Sequence, residues 1–122
     1  MRVRPHVDGT DFGWLEIEGE RHEHDVLIRL DGSVKRRKKK LSKRVYGTSH
    51  TISLDEARHV YEEGAATLII GSGQSGQVHL SPEAEEFFRG RRCDVRLLRT
   101  PEALAAWNDR GGKAIGLFHV TC

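Results

Sequence analysis

A glycine-rich stretch follows the apolar run TLII, and its spacing is the first pointer to ligand chemistry. Residues 71–76 read GSGQSG and match the G-x-G-x-x-G pattern of a dinucleotide-binding loop. In such a loop the last glycine lies in the first turn of a helix, whose N–H groups face the pyrophosphate. Here Gly76 is followed by the strand-like QVHL, and the acidic candidate, Asp94, begins its strand instead of ending it. The context therefore argues against a dinucleotide, and we expect no cofactor.

Two interpretations of this loop remain. Backbone N–H groups and hydroxyls after a parallel strand can form an anion-binding nest, at the sheet edge where α/β proteins bind ligands. Alternatively, the glycines only supply the positive φ angles of a tight turn. A serine-hydrolase elbow is excluded, because G-x-S-x-G requires glycine where Gln77 stands. The loop residues that we assign to a candidate ligand surface are Gly71, Ser72, Gly73, Gln74, Ser75 and Gly76.

Polar residues from two other stretches are expected to meet this loop. If strand 114–119 runs parallel to strand 67–70, the residues that end the sequence emerge at the same edge. The cluster YGTSH at 46–50 places further hydrogen-bonding groups on a loop, where function concentrates. We predict a shared polar surface that binds a small anionic ligand or a protein partner. Beyond the glycine loop it comprises Tyr46, Thr48, Ser49, His50, His119 and Thr121. The alternative is that these groups satisfy local backbone and that His119 is a structural histidine.

An enzymatic alternative combines a histidine with Cys122. An imidazole can lower the pKa of a thiol and activate it as a nucleophile. His119 or His50 with Cys122 would then act on an anionic substrate. A cysteine at the last position of the sequence is poorly held for such a reaction, so we assign no catalytic residue.

The segment KRRKKKLSKR at 35–44 carries eight of the 20 Lys and Arg residues, which leaves 12 basic against 18 acidic residues elsewhere. A run of this kind can give salt-dependent, sequence-blind affinity for nucleic acid. No aromatic residue is interleaved to stack bases, however. A solvated loop or a charged edge strand that prevents aggregation is the competing interpretation.

Metal and disulfide chemistry are not indicated. His22 and His24 would share one face of a strand, but no third ligand follows at a recognisable spacing. The two cysteines form no CxxC, and Cys93 opens an apolar segment in the manner of a small buried hydrophobe. We therefore predict neither a metal site nor a disulfide framework.

The size and composition describe one ordinary globular domain, residues 1–122. Hydrophobic residues make up 37% of the sequence, enough for a single core. No apolar run approaches the ~20 residues of a membrane span. The N-terminal residues lack the apolar region of a signal peptide and carry Asp8 and Asp11, unlike a transit peptide. We expect a cytoplasmic protein without membrane contact.

The first half of the sequence predicts strands. Residues 12–18 alternate apolar and polar side chains from Phe12, and a tight turn is expected at Gly19–Glu20. Residues 24–30 form a second predicted strand, ending in the hairpin signal Asp31–Gly32. Residues 34–41 return as a third strand or as a loop.

From Ser53 helices and strands alternate. A capping box opens a helix that runs through Glu63 and stops at Gly64, and Ser81–Pro82 opens another through Arg89. The remaining predicted elements are strands 67–70, 94–98 and 114–119 and a helix from Thr100 to about Asp109, closed by Gly111–Gly112. This alternation predicts an α/β layered sandwich, with a mixed, mostly parallel sheet and helical crossovers plus an N-terminal antiparallel hairpin or meander.

Several stretches also carry a family resemblance. They are VLIRLDGSV, YGTSH, TLIIGSGQSG, DVRLLRTPEA and GLFHVTC, in this order between about Phe12 and Cys122. Together they resemble the small single-domain family that includes the adipogenesis-associated protein and mitochondrial complex I assembly factor 3. The resemblance implies a mixed-sheet α/β sandwich of no established catalytic activity, with roles in assembly or regulation. It brings no catalytic motif to this chain, and the N-terminal residues do not look like a mitochondrial targeting segment.

Overall fold

The computed structural model describes residues 4–109 and 112–122. Ten strands and four helices lie within this part of the chain. The strands are β1 (Val7–Asp11), β2 (Trp14–Ile17), β3 (Glu20–His22), β4 (Val26–Ile28), β5 (Val34–Arg36), β6 (Thr51–Ile52), β7 (Thr67–Ser72), β8 (His79–Leu80), β9 (Asp94–Leu98) and β10 (Ala114–His119). The helices are α1 (Lys40–Tyr46), α2 (Leu54–Val60), α3 (Pro82–Gly90) and α4 (Thr100–Asp109).

A five-stranded mixed sheet, in the order β5-β4-β10-β7-β9, forms the centre of the fold. The pairs β10–β7 and β7–β9 are parallel, whereas β10–β4 and β4–β5 are antiparallel. The mixed α/β architecture is confirmed, but the description "mostly parallel" is not. The reason is the hairpin at Asp31–Gly32, which we expected within an N-terminal meander and which instead extends the central sheet beside β10.

The central sheet is buried on both faces because its strands alternate between two apolar clusters. Leu68 and Ile70 of β7 face a cluster built with α2 and α3, while Ile69 faces one built with α4, β1 and β2. Trp107 of α4 packs edge-to-face on Phe118 of β10, with ring centroids 6.0 Å apart. Buried on both sides, β7 and β10 are held rigidly, and their carboxyl ends are fixed in place.

The N-terminal strands form a separate antiparallel meander, β1-β2-β3. The predicted turn at Gly19 is present, with Glu18 and Gly19 both at positive φ. The strand predicted over 12–18 covers only Trp14–Ile17, because Phe12 lies in the β1–β2 turn. Phe12 is 62% exposed, so its predicted place in the alternating apolar pattern of this strand is wrong.

The sequence predicts the first residues of helices α2 and α3 correctly, but it places the end of α2 too late. Ser53 and Ser81 each cap a helix by accepting a backbone N–H at the third position, as predicted. Helix α2, however, ends at Val60 instead of Glu63. Tyr61 is extended (ψ 141°), and beyond it the carboxylate of Glu62 accepts the N–H of Leu30 at 2.9 Å, a contact made outside the helix.

Two further points concern the helices. Helix α4 spans Thr100–Asp109 as predicted, while Gly111, part of its predicted stop, lies outside the described residues. Helix α1 replaces part of the strand or loop predicted over 34–41. Among the residues described, no helix has the length and apolar character needed to cross a membrane.

Candidate functional site at the carboxyl edge of the sheet

The chain direction in each strand gathers polar residues at one edge of the central sheet. β7 and β10 are parallel and in register, so Ser72 lies opposite His119 where both strands end. β4 is antiparallel to β10 and begins at this edge, directly after Asp25. β5 is antiparallel to β4 and ends here, directly before Arg37. Residues far apart in the sequence therefore meet.

A carboxylate, an imidazole and a hydroxyl are aligned at this edge. Asp25 Oδ2 lies 2.6 Å from His119 Nδ1, and Asp25 Oδ1 accepts the N–H of Val120 at 3.0 Å. On the other side of the ring, His119 Nε2 lies 3.1 Å from the hydroxyl of Thr121. Asp25 and His119 are only 1% and 2% exposed. Both ring nitrogens of His119 therefore have partners, and the ring is held in one orientation.

Arg37 connects this pair to a second buried carboxylate. Its Nε and Nη2 donate to the two oxygens of Glu56 at 2.6 and 3.0 Å, and its Nη1 donates to Asp25 Oδ2 at 2.9 Å. Nη2 also donates to the carbonyl of Ser49 at 2.7 Å, and the hydroxyl of Ser42 donates to Glu56. This charge network, as we call Asp25, Arg37, Glu56 and His119, is satisfied by its own members and their neighbours.

The network shifts the ionisation of its members. Burial raises the pKa of Asp25, but the hydrogen bond and charge of His119, the N–H of Val120 and the charge of Arg37 outweigh it and lower the pKa to about 2. Burial lowers the pKa of Arg37, whereas Glu56 and Asp25 together raise it above its ordinary value. Asp25 and Arg37 are accordingly charged at neutral pH.

The glycine loop is occupied by the chain itself. Gly73 donates its N–H to Thr100 Oγ1 at 2.9 Å and Gln74 donates to the carbonyl of Thr121 at 2.7 Å. The N–H groups of Ser75 and Gln77 both donate to the carbonyl oxygen of Cys122, at 3.1 Å each. These N–H groups thus hold residues 121–122, so a ligand at this edge must be bound chiefly by side chains.

The close approach of Cys122 to the glycine loop is possible because Gly73 has no side chain. Gly73 has φ +106°, and a Cβ at this position would overlap the backbone of Cys122 and crowd the ring of His119. The segment that follows the loop leads into β8 and not into a helix, as the sequence predicted. The dinucleotide interpretation thus lacks its helix here.

The structure brings together part of the predicted polar surface. The rings of His50 and His119 pack edge-to-face at 5.4 Å, and Thr48 Oγ1 accepts the N–H of His50 at 3.1 Å. Burial, followed by the charges of His119, Arg37 and Lys39, lowers the pKa of His50. His50, His119, Thr121 and the backbone of the glycine loop therefore lie together, with Ser49 bound beneath them to Arg37.

Other residues of the predicted polar surface contact different parts of the chain. The hydroxyl of Tyr46 donates to Glu83 at 2.9 Å, and the amide of Gln74 reaches Thr10 in β1 at 3.1 Å. Ser72 Oγ donates to the carbonyl of Leu98. Gly76 has φ +72°, the turn geometry that needs glycine.

The cysteines are placed differently from each other. In the described part of the chain, the thiol of Cys122 makes no hydrogen bond to His50 or His119. The Nδ1 and Nε2 atoms of His119 face Asp25 and Thr121 instead. Cys93 is buried, and burial together with the charge of Asp94 raises its thiol pKa to about 11. Both cysteines are free.

Metal binding finds no support among residues 4–109 and 112–122. The rings of His22 and His24 pack edge-to-face at 5.8 Å. No group of three His, Cys, Asp or Glu side chains suited to a metal is present in these ranges.

A basic pocket opens beside the charge network. Its volume is about 270 Å³, and it is lined by His24, Asp25 and residues 36–40. Lys39 Nζ lies 3.8 Å from Asp25 Oδ2, so the buried carboxylate forms part of the pocket floor. The basic segment is therefore divided, since Arg37 turns into the protein while its neighbours surround the opening.

Sequence reasoning missed Asp25, Arg37 and Glu56. Arg37 was hidden in a run of like residues, and Glu56 was interpreted as the second half of the capping box. In the structure the N–H of Ser53 bonds to Ser42 Oγ at 3.0 Å, which leaves the Glu56 carboxylate for Arg37. A usable signal was the Asp25 carboxylate directly before an apolar strand, where an unpaired charge would be costly.

Comparisons with known proteins agree on the fold and give no activity. The model of a family described as protein of unknown function (DUF498/DUF598) matches residues 7–110. A conserved hypothetical protein from Pyrococcus horikoshii OT3 is 30% identical, with TM-score 0.86, covering 95% of this chain and 98% of that one. The solved protein MT938 is also 30% identical, with TM-score 0.83 and coverages of 97% and 99%. A Mth938-like domain from Bordetella pertussis shares the fold at 16% identity, with TM-score 0.63 and coverages of 95% and 85%.

Proposed function

Because the chain belongs to this family of proteins of unknown function, DUF498/DUF598, we propose a function from its geometry: it is a binding domain for a small anionic ligand. The ligand site is the basic pocket at the carboxyl edge of the central sheet. The observation that carries the proposal is the concentration of cationic side chains around one small cavity of about 270 Å³.

Charge compensation within the pocket supports an anion over a cation. Arg37 is neutralised by Asp25 and Glu56, to which it is bonded. Arg36, Lys38 and Lys40 form no ion pair within the described ranges, and their charges face the opening of the pocket or the solvent around it. The pocket is smaller than the roughly 300–1,000 Å³ of sites for drug-sized ligands, so a compact anion such as a phosphate fits it best.

The neighbouring polar surface completes the proposal. His50, His119 and Thr121 lie outside the pocket lining and are linked to it through Asp25, which forms part of the pocket floor and contacts His119. A protein partner that presents a carboxylate or phosphate would contact both regions. This agrees with the assembly or regulatory role, and the cytoplasmic location, that we predict from the sequence and its family resemblance.

The pocket can be tested with inorganic phosphate and pyrophosphate as probes. We expect amide chemical shifts of residues 24–25 and 36–40 to change saturably in an NMR titration. Lys38→Gln combined with Lys39→Gln should weaken binding about tenfold or more, since each removes a charge beside the anion. The matched control is Lys35→Gln with Lys43→Gln, two exposed lysines of the same run outside the pocket lining. Equal weakening in both pairs would contradict the pocket and indicate diffuse attraction.

The same variants separate this proposal from nucleic-acid binding through residues 35–44. A nucleic-acid interface would use the whole run, with affinity that falls steeply as salt rises. Retention of the protein on a heparin column should then be reduced equally by both lysine pairs. A weak response to salt would exclude nucleic acid as the ligand.

The aligned Asp25, His119 and Thr121 favour a second candidate, an esterase in which His119 activates Thr121, and not Cys122, as the nucleophile. His119 Nε2 would accept the proton of Thr121 as its oxygen attacks an ester carbonyl, and the leaving alcohol would take that proton. Water would then release the acid from Thr121. Hydrolysis of p-nitrophenyl acetate tests this candidate. Thr121→Val should abolish any turnover, and a rate equal to that of the uncatalysed reaction in the unmodified protein would exclude it.

A further inference from the structure

The two edges of the central sheet differ in how well they are protected. β5 is only three residues long and presents Lys35 and Arg36, both exposed. Short length and basic side chains are common means of preventing another strand from adding to an edge. β9 at the opposite edge has five residues, pairs in regular register with β7, and carries Leu97 at 42% exposure. The β9 edge therefore lacks the protection of short length, although it carries the exposed charges of Asp94 and Arg96.

The backbone of β9 has groups directed away from the sheet. Asp94 donates its N–H to Ala66 at 2.9 Å, on the side of β7. Because successive residues of a strand alternate in direction, the N–H and C=O groups of Val95 and Leu97 point outward. A groove of about 430 Å³ lies beside this edge, and its apolar lining includes Leu80, Phe88, Val95 and Leu97.

The side chains of β9 are complementary to a second copy of the same strand. We propose that two copies of the chain dimerise by antiparallel pairing of β9, with Val95 of each copy on the twofold axis. In this register Asp94 of one copy lies opposite Arg96 of the other, and the symmetry repeats the pair. All four of these side chains are exposed in the single chain. Opposite charges directly across an antiparallel pair stabilise it.

The same register pairs the backbone of β9 at the axis and covers the groove. Two Val95 residues opposite each other exchange both N–H···O=C bonds, because their groups already point outward. Leu97 then lies opposite Cys93 of the other copy, on the face of the sheet that α3 covers. Its exposed side chain covers the groove that Phe88 and Val95 of that copy help to line. A self-complementary contact of this kind closes as a twofold dimer.

Neighbouring registers are less favourable. With Arg96 on the axis, two like charges face each other and Asp94 lies opposite Leu98, so both ion pairs are lost. With Leu97 on the axis the hydrogen bonds form, but Arg96 lies opposite Leu98 and Asp94 opposite Thr100, so both ion pairs are lost. Charge pairing therefore selects Val95. The interface lies at the opposite edge of the sheet from β5, so it is independent of the basic pocket.

Charge reversal tests the contact and its register together. Asp94→Arg places two arginines opposite each other at both symmetric positions, and Arg96→Asp does the same with aspartates. Converting attraction to repulsion should raise the dimer dissociation constant about tenfold at each pair, or about a hundredfold in all. Sedimentation velocity of the full chain over a concentration series measures this constant, and circular dichroism confirms that each variant is folded.

Mixing the two variants is the decisive measurement. In a mixed pair, Arg at position 94 meets Asp at position 96 and the native Arg96 meets the native Asp94, so both ion pairs return. We expect each variant alone to be largely monomeric and their equimolar mixture to dimerise. Glu20→Arg, an exposed charge reversal on strand β3, is the matched control and should leave the dimer unchanged. A native chain that is monomeric at every concentration would overturn the proposal. So would single variants that dimerise normally, or a mixture that stays monomeric.

Discussion

Replacing Asp25 by asparagine tests the charge network most directly. Asparagine has nearly the same shape but no charge, so Arg37 loses one of its two carboxylates and His119 loses its anionic partner. Removal of one member of a buried ionic pair typically costs about 3–5 kcal/mol. We expect Asp25→Asn to be destabilised by an amount in this range at neutral pH.

Part of that loss depends on pH, and its size follows from the pKa of Asp25. The pKa is lowered from 3.8 to about 2 in the folded chain. One unit corresponds to about 1.4 kcal/mol, so ionised Asp25 contributes about 2 kcal/mol to the free energy of unfolding. Because the folded pKa is the lower one, this contribution is fully present well above pH 4. It is lost as the pH falls through about 2.

The measurement is urea unfolding of the native chain and of Asp25→Asn at several pH values. The difference in unfolding free energy between them should shrink by about 2 kcal/mol from pH 6 to pH 2, since titrating groups away from Asp25 contribute equally to both proteins. Asp8→Asn is the matched control, because Asp8 also has a histidine partner, His6, at 2.8 Å but lies at the surface. Asp8→Asn should change the free energy of unfolding only slightly at every pH. A difference for Asp25→Asn that stays constant with pH would refute the reasoning.

Further expectations concern the glycine loop, a helix cap and the cysteines. Gly73→Ala should lower the free energy of unfolding by about 1–3 kcal/mol in urea titrations, because its Cβ overlaps the backbone of Cys122. The control Gly90→Ala has open space around its Cβ and should not destabilise the chain. Ser81→Ala removes the cap of α3 and should cost about 1 kcal/mol in the same assay; no change would mean that the cap is not needed. Iodoacetamide at pH 8 should modify Cys122 and leave Cys93 unmodified until the chain unfolds, because burial raises the pKa of Cys93 to about 11. Mass spectrometry measures the modification, and rapid modification of Cys93 would contradict its burial.

Local signals in the sequence predict local structure well. Ser81–Pro82 and the stop near Gly90 give α3 almost residue by residue, because capping and proline geometry act within one turn. The basic segment shows where such signals fail. Its seven-residue helix α1 has no acidic residue in the first turn and no side-chain cap. Its position is set by tertiary contacts, such as the bond from Ser42 to Glu56, that no local pattern contains.

One part of the candidate site could be predicted from local patterns in the sequence, and another part could not. The meeting of the glycine loop with His119 follows from two parallel strands and was predictable from the alternation of helices and strands. The partner of His119, Asp25, is 94 residues away and arrives through an antiparallel strand. Its place depends on the order of strands in the sheet, which hydrophobic periodicity does not determine.

The charge network also has a consequence for how the native chain fluctuates. Its members come from four separate places: the start of β4, the end of β5, helix α2 and the end of β10. No one of these elements can detach without taking a charged or hydrogen-bonding partner away from a buried charge, which is costly in a protein interior. Partial openings that are cheap in other small domains are thereby penalised at this edge. We expect backbone amides of β4, α2 and β10 to exchange with deuterium together, at the rate of global unfolding, although they belong to different layers.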